Sequence, residues 1–164
     1  MKYFLLGYMG SGKTRIGKEM AAEKGIRFFD LDAYIVEREH RTINAIFDTD
    51  GEERFRHYET RYLQEICELY ENFVLSTGGG TPCYNGNMEY MNANGHTIFL
   101  DVDVDILTAR LAHSKYKRPL IGAVGKDDLR GHILRHLAER MPFYSQAAEV
   151  MTIESKFKPF NPDR

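Results

Sequence analysis

Residues Gly7-Tyr8-Met9-Gly10-Ser11-Gly12-Lys13-Thr14 fit the phosphate-binding pattern G-x-x-x-x-G-K-[ST]. Each residue type has a physical task there. Glycines let consecutive backbone N–H groups close around phosphate oxygens, and a helix beginning at Lys13 adds the positive end of its dipole. Lys13 can reach β- and γ-phosphates, and the Thr14 hydroxyl can ligate Mg²⁺. Gly10, Ser11, Gly12 and the following Arg15 complete the expected nucleotide contacts. A chance glycine-rich turn is the rival explanation, and the strand-then-helix context argues against it. The motif implies a nucleoside triphosphate without saying what is done with it, because switches, ATPases and small-molecule kinases share it.

A metal and a proton acceptor need carboxylates nearby. Phe28-Phe29-Asp30-Leu31-Asp32 sets two at the C-terminal end of an expected second strand, the edge at which open α/β sheets bind ligands. Alternation along an extended chain would aim Asp30 and Asp32 the same way. One could then hold Mg²⁺ and the other accept a proton from an attacking hydroxyl. Both could instead be solvated caps of a helix starting near Ala33. Asp101, closing the apolar run Ile98-Phe99-Leu100, is an equal candidate for the metal, so Asp30 and Asp101 both stand at this point.

These groups need a scaffold. Apolar runs over 2–7, 27–30, 73–76, 98–100 and, more weakly, 150–153 read as strands separated by helical stretches. The first helix is expected over 13–24, with Ile16, Met20 and Ala21 on one face and Gly25 as its C-terminal cap. Further helices are expected over 33–40, 43–47 and 52–70, the last with Phe55, Tyr62, Ile66 and Leu69 on one stripe. Strands alternating with helices predict a parallel, doubly wound sheet. Two stretches depart from that alternation: an all-helical excursion over 33–61, and an aperiodic, Gly-containing run over 113–126 that reads as a mobile lid. With 164 residues, 43% of them hydrophobic, the chain makes one domain, 1–164, with a real core. A net charge of −2 argues against a nucleic-acid binder relying on a broadly basic face. The N-terminal apolar run is too short for a signal peptide or a membrane span, and no membrane association is expected. Cys67 and Cys83 make neither a metal spacing nor a disulfide framework, so a reduced, cytoplasmic setting is the default.

The chain resembles the shikimate kinases along nearly all its length. GYMGSGKT, FFDLD, DGEERFRHYE (50–59), STGGG (76–80), KRPL (117–120) and ERMPFY (139–144) occur in that family's order. The resemblance implies a three-layer α/β/α P-loop fold with a five-stranded parallel sheet, the helical region 33–61 for the acceptor, and the lid. It implies transfer of the γ-phosphate of ATP, with Mg²⁺, to the 3-hydroxyl of shikimate. It favours Asp30 over Asp101 for the metal. It makes Asp32 the residue that binds the shikimate hydroxyls and the candidate base. It assigns Arg56 and Arg140 to the shikimate carboxylate, Gly78, Gly79 and Gly80 to close backbone approach, Arg118 to the lid, and Arg110 to the adenine side. Physical chemistry agrees: a guanidinium offers carboxylate a two-pronged fork, and three glycines at a strand end let backbone approach a ligand. Lys13, Mg²⁺ and Arg118 would spread the moving charge while lid closure excludes water.

Other features are set aside. His132 and His136, four apart on one helix, lack a third metal ligand and read as a solvated face. Cys67 reads as core packing, and Cys83, after the triple glycine, as a neighbour of the site. Arg140 precedes Met141-Pro142, where a helix is expected to end or kink. Pro159 and Pro162 argue against a helix after the fifth strand. A kinase for gluconate or a nucleoside monophosphate, or a nucleotide-binding module without an acceptor, are the competing functions; a monomer is expected.

Overall fold

The computed structural model describes residues 1–113 and 128–154. The lid stretch, Arg118 with it, and the proline-containing C-terminal segment therefore lie outside the described residues, apart from His113 and Glu154. Five strands, β1 (Lys2–Leu6), β2 (Arg27–Asp30), β3 (Phe73–Ser76), β4 (His96–Val102) and β5 (Glu149–Ile153), form one parallel sheet. Their spatial order is β2-β3-β1-β4-β5. The connection leaving β1 runs to β2 at one edge, and the one leaving its neighbour β3 crosses to β4 on the other side, so the carboxyl ends of β1 and β3 flank the switch point where such sheets open a crevice. The phosphate loop follows β1 directly.

Burial on both faces explains why the central strands are continuously apolar. Phe4, Leu6, Phe73 and Leu75 pack with Leu31, Ile35, Tyr62, Leu63 and Ile66 on one side. Leu5, Val74, Ile98 and Leu100 pack with Ala21 on the other. Each such fully buried side chain contributes about 1.5–3 kcal/mol. Helix α1 (Lys13–Lys24) approaches closely because position 17 is glycine: a Cβ there would stand 2.5 Å from the Phe28 ring. Gly25 caps the helix in the left-handed conformation, its N–H meeting the carbonyls of Ala21 and Ala22, as expected.

Helix α2 (Leu31–Glu39) starts two residues earlier than the sequence suggests, because Asp30 caps it by accepting from the Ala33 N–H at 3.1 Å. Asp32 therefore stands in the first turn of a helix, and strand alternation is not what orients it. The two helices expected over 43–47 and 52–70 are both present; they follow one another within α3 (Ile43–Leu69) and are separated at Gly51, whose φ of 83° and ψ of 170° are non-helical. Phe55, Tyr62 and Ile66 on α3 are buried, but Leu69, the last residue of the helix, is 59% exposed. A short 3₁₀ turn (Thr81–Cys83), α4 (Asn87–Asn94), α5 (Val104–Ala112) and α6 (Leu129–Tyr144) complete the described elements. Helix α6 does not end at Arg140; it runs through Pro142 to Tyr144, and the proline, lacking an N–H, forgoes the backbone bond to the carbonyl of residue 138 in the turn before it. A third cluster, Met9, Val102, Leu107, Leu129 and Ile133 with Tyr8, ties α5 and α6 to the loop after β1. Among the described residues no helix is long and apolar enough to cross a membrane.

Candidate active site

The loop between β1 and α1 folds as a cradle. The Ser11 N–H donates to the Tyr8 carbonyl at 3.1 Å, and Gly12 takes φ 93° where α1 begins. Lys13 Nζ folds back over the loop, donating to the Gly7 carbonyl at 2.7 Å and the Tyr8 carbonyl at 3.0 Å. The Thr14 hydroxyl donates to Asp30 Oδ2 at 3.0 Å. Asp30 is thus both helix cap and partner of the loop threonine. A cavity of ≈ 180 Å³ opens here, lined by Met9 to Thr14, Asp30, Asp32 and residues 76–79. Asp30 and Asp32 share it, whereas Asp101, inside β4 opposite Thr152, is not among its lining residues. A hydroxyl and a carboxylate 3.0 Å apart in an open cleft suit Mg²⁺, which binds through one or two carboxylates and otherwise keeps water or phosphate oxygens. No cluster of three acidic, His or Cys ligands exists among the described residues.

Arg110 of α5 donates from Nη1 to the Gly10 carbonyl at 2.7 Å, so it buttresses the outside of the loop. Arg15 is exposed in the first turn of α1 and does not line the cavity.

The other end of the cleft is built around the three glycines after β3. A Cβ on Gly78 would stand 3.4 Å from Asp32 Oδ1 and 2.7 Å from Glu59 Oε2. One on Gly79 would stand 2.8 Å from Arg140 Nη1, and one on Gly80 2.5 Å from Arg56 Nη1. Each glycine thus vacates space for a different charged group, and side chains from α2, α3 and α6 converge on one strand end. Arg56 and Arg140 are each only 5% exposed. Arg56 pairs with the buried Glu59 at 2.7 Å and with Glu52 at 3.2 Å, and lies 4.3 Å from the Tyr84 ring centre. Burial works against the Arg56 charge, but Glu59 outweighs it and holds the pKa above its ordinary value. Burial lifts the Glu59 carboxyl, against the pull of Arg56 and of the Thr81 hydroxyl that donates to it. Arg56 Nε and Arg140 Nη1 are buried donors with no hydrogen-bond partner among the described residues. A buried guanidinium N–H without a partner is costly, and a carboxylate would satisfy both.

Several members of this constellation were not singled out from sequence. Glu59 sits three residues after Arg56 in the run 50–59, a spacing that puts the two on one helix face. Tyr144, fully buried and stacked on Phe99, donates its hydroxyl to the Gly79 carbonyl. The solvated-face reading of His132 and His136 is corrected. Both are half-buried, and His136 Nδ1 lies 2.9 Å from the Tyr8 hydroxyl. Burial first, then Arg140, His132 and Arg56, push the His136 pKa down to about 4. Cys67 is buried as expected. Cys83 is half-buried, and burial raises its pKa despite the nearby Arg140 and Arg56.

Comparison with known proteins bears on what this cleft is. The family model described as shikimate kinase matches residues 9–160. The shikimate kinase of Bacteroides fragilis is 48% identical over 147 residues, covering 90% of this chain and 82% of that protein. The crystal structure of shikimate kinase from Bacteroides thetaiotaomicron superposes with a TM-score of 0.87 at 45% identity, over 93% of this chain and 86% of that one. Shikimate kinase from Acinetobacter baumannii in complex with shikimate superposes with a TM-score of 0.82 at 32% identity, over 96% and 84%. With a family match across nearly the whole chain and relatives this similar along most of both lengths, the chain belongs to the shikimate kinase family.

Proposed function

We propose that this chain transfers the γ-phosphate of ATP to the 3-hydroxyl of shikimate, giving shikimate 3-phosphate and ADP. The observation that carries the reading is the row Gly78-Gly79-Gly80, against which Asp32, Arg140 and Arg56 stand beside the phosphate-loop cavity. Backbone N–H groups of residues 10–14 cradle the triphosphate, and Lys13 moves from loop carbonyls to phosphate oxygens. Arg140 and Arg56 clasp the acceptor carboxylate, using Arg140 Nη1 and Arg56 Nε, which have no partner among the described residues. Asp32 orients the acceptor hydroxyl and takes its proton. Thr14 and Asp30 hold Mg²⁺, which neutralises charge on the phosphate oxygens when bound. Arg118, in the lid expected over 113–126, adds positive charge at the transferring phosphate, and the region 33–61 serves the acceptor by carrying Arg56. The same reading has the protein acting as a monomer in the cytoplasm, consistent with two free cysteines.

Coupled ADP release tests this. ATP turnover should rise with shikimate and stay at its basal level with gluconate or AMP. Stimulation by either of those and not by shikimate would overturn the acceptor assignment; nucleotide binding with no stimulation by any of the three would leave a binding module.

A further inference from the structure

Tyr8 belongs to the phosphate loop by backbone and to helix α6 by side chain. Its carbonyl accepts from Lys13 Nζ at 3.0 Å and from the Ser11 N–H at 3.1 Å. Its ring, 1% exposed, turns away from the cavity into the cluster made with Leu129 and Ile133. There its hydroxyl lies 2.9 Å from His136 Nδ1, and the two rings meet edge-on at 5.5 Å. The Arg140 guanidinium lies over the same ring at 5.4 Å. Arg140 is one helical turn beyond His136 on α6, so one tyrosine fixes two successive turns of the helix. Gly79 closes the circle: its missing Cβ would stand 2.8 Å from Arg140 Nη1 and 3.5 Å from both the Gly7 carbonyl oxygen and the Met9 nitrogen.

We propose that Tyr8 and His136 are a positioning pair that aims Arg140 and couples occupancy of the phosphate loop to acceptor binding. When Lys13 leaves the Tyr8 carbonyl for phosphate oxygens, the Tyr8 peptide is released from one partner. Any adjustment reaches Arg140 through the ring that supports it and through the hydrogen bond to His136. Coupling of this kind is reciprocal, so acceptor binding should tighten nucleotide binding by the same factor. A neutral imidazole suits the task. It accepts from the phenol at Nδ1 without adding a second cation beside Arg140, and its burial and the charges of Arg140 and Arg56 hold it neutral at physiological pH. Among the described residues the pair makes a direct side-chain bridge between the loop that reads phosphate and the arginine proposed to read carboxylate.

The inference rests on the shikimate kinase reading, and the test separates the two. Tyr8→Phe keeps the ring under Arg140 and removes only the hydroxyl; His136→Leu removes its partner; His136→Gln restores a hydrogen-bonding side chain. We expect Tyr8→Phe and His136→Leu each to raise KM for shikimate about five- to tenfold and, because the coupling is reciprocal, to raise KM for ATP at saturating shikimate by the coupling factor lost, while kcat and the affinity for ATP without shikimate change less than about twofold. The double variant should cost no more than either single one, and His136→Gln should recover most of the loss. Titration calorimetry should show that the factor by which ADP tightens shikimate binding falls toward one in both single variants. Should a variant melt early, that coupling factor is still measured at a temperature where circular dichroism shows it folded. Additive effects in the double variant, weakened ATP binding in the absence of shikimate, or an unchanged coupling factor would overturn the pairing. Failure of the unaltered protein to use shikimate would instead overturn the function on which it rests.

Discussion

At the nucleotide end of the cleft the groups facing a ligand are mostly main chain, held by a single turn between β1 and α1. At the acceptor end they are buried charged side chains, delivered by α2, α3 and α6 to three consecutive glycines. The loop needs no desolvated charge until a phosphate arrives; its lysine rests on its own carbonyls. The acceptor end keeps two guanidinium groups at 5% exposure, a state the fold must sustain with or without a ligand. Function at one end therefore costs little stability, whereas at the other end it is set against stability.

The largest effect should come from the inexpensive end. Lys13→Met removes the ammonium and leaves the backbone cradle, so turnover in the ADP-release assay should fall about a thousandfold. Shikimate affinity measured by calorimetry should stay within about threefold, and the thermal midpoint should barely move. A collapse of shikimate affinity as well would erase the division between the two ends.

The arginines sharpen the comparison within the acceptor end, because they are equally buried and unequally paired. Arg56 is matched by Glu59 at 2.7 Å, while Arg140 has aromatic support and an unpartnered Nη1. Either alanine variant should weaken shikimate binding about a hundredfold and leave nucleotide binding within about twofold. Their stabilities should diverge. Arg56→Ala strands a carboxylate that is 1% exposed and should cost about 3–5 kcal/mol in urea denaturation. Arg140→Ala removes a charge with no carboxylate partner among the described residues and should cost far less. Equal destabilisation by the two would show that the Glu59 pair is not what sustains this end.

How legible each part was follows from the same division. The phosphate loop is contiguous, so eight residues carried both its identity and its place between strand and helix. The strands over Arg27–Asp30 and Phe73–Ser76 and the helix over Lys13–Lys24 were readable because apolar period and caps agree. The start of α2 was not, because Asp30 serves as strand end, helix cap and partner of Thr14 at once, and local pattern cannot rank those uses. Arg56 and Arg140 were reached through the family resemblance, with only weak local cues. Glu59 was passed over because a glutamate in the run 50–59 looks like any helix-surface charge until Thr81 and Gly78 close over it. His132 and His136 were misread for a related reason. Spacing four apart gives a shared face, and only the packing of Tyr8 against α6 reveals that this face is turned inward.

The smallest expected effect concerns the joint between the ends. His136 has a folded pKa of about 4 against an ordinary value of 6.5, so between those pH values the unfolded chain binds the proton and the folded one does not. Stability therefore falls as pH drops from about 6.5 toward 4, and this group contributes no slope above that window. Burial sets the sign first; among the described groups facing His136, Arg140, His132 and Arg56 add to it by disfavouring the charge, and Glu52 opposes them. Because the ring is only half-buried, solvent screening reduces the full linkage value to about 1–2 kcal/mol. Many carboxylates titrate over the same range, so the informative quantity is a difference between proteins. Urea denaturation at pH 7 and pH 4.5 should show the unaltered protein losing about 1–2 kcal/mol more than His136→Gln. Parallel losses would mean that the imidazole is solvated after all, and that the loop and α6 meet through the Tyr8 ring alone.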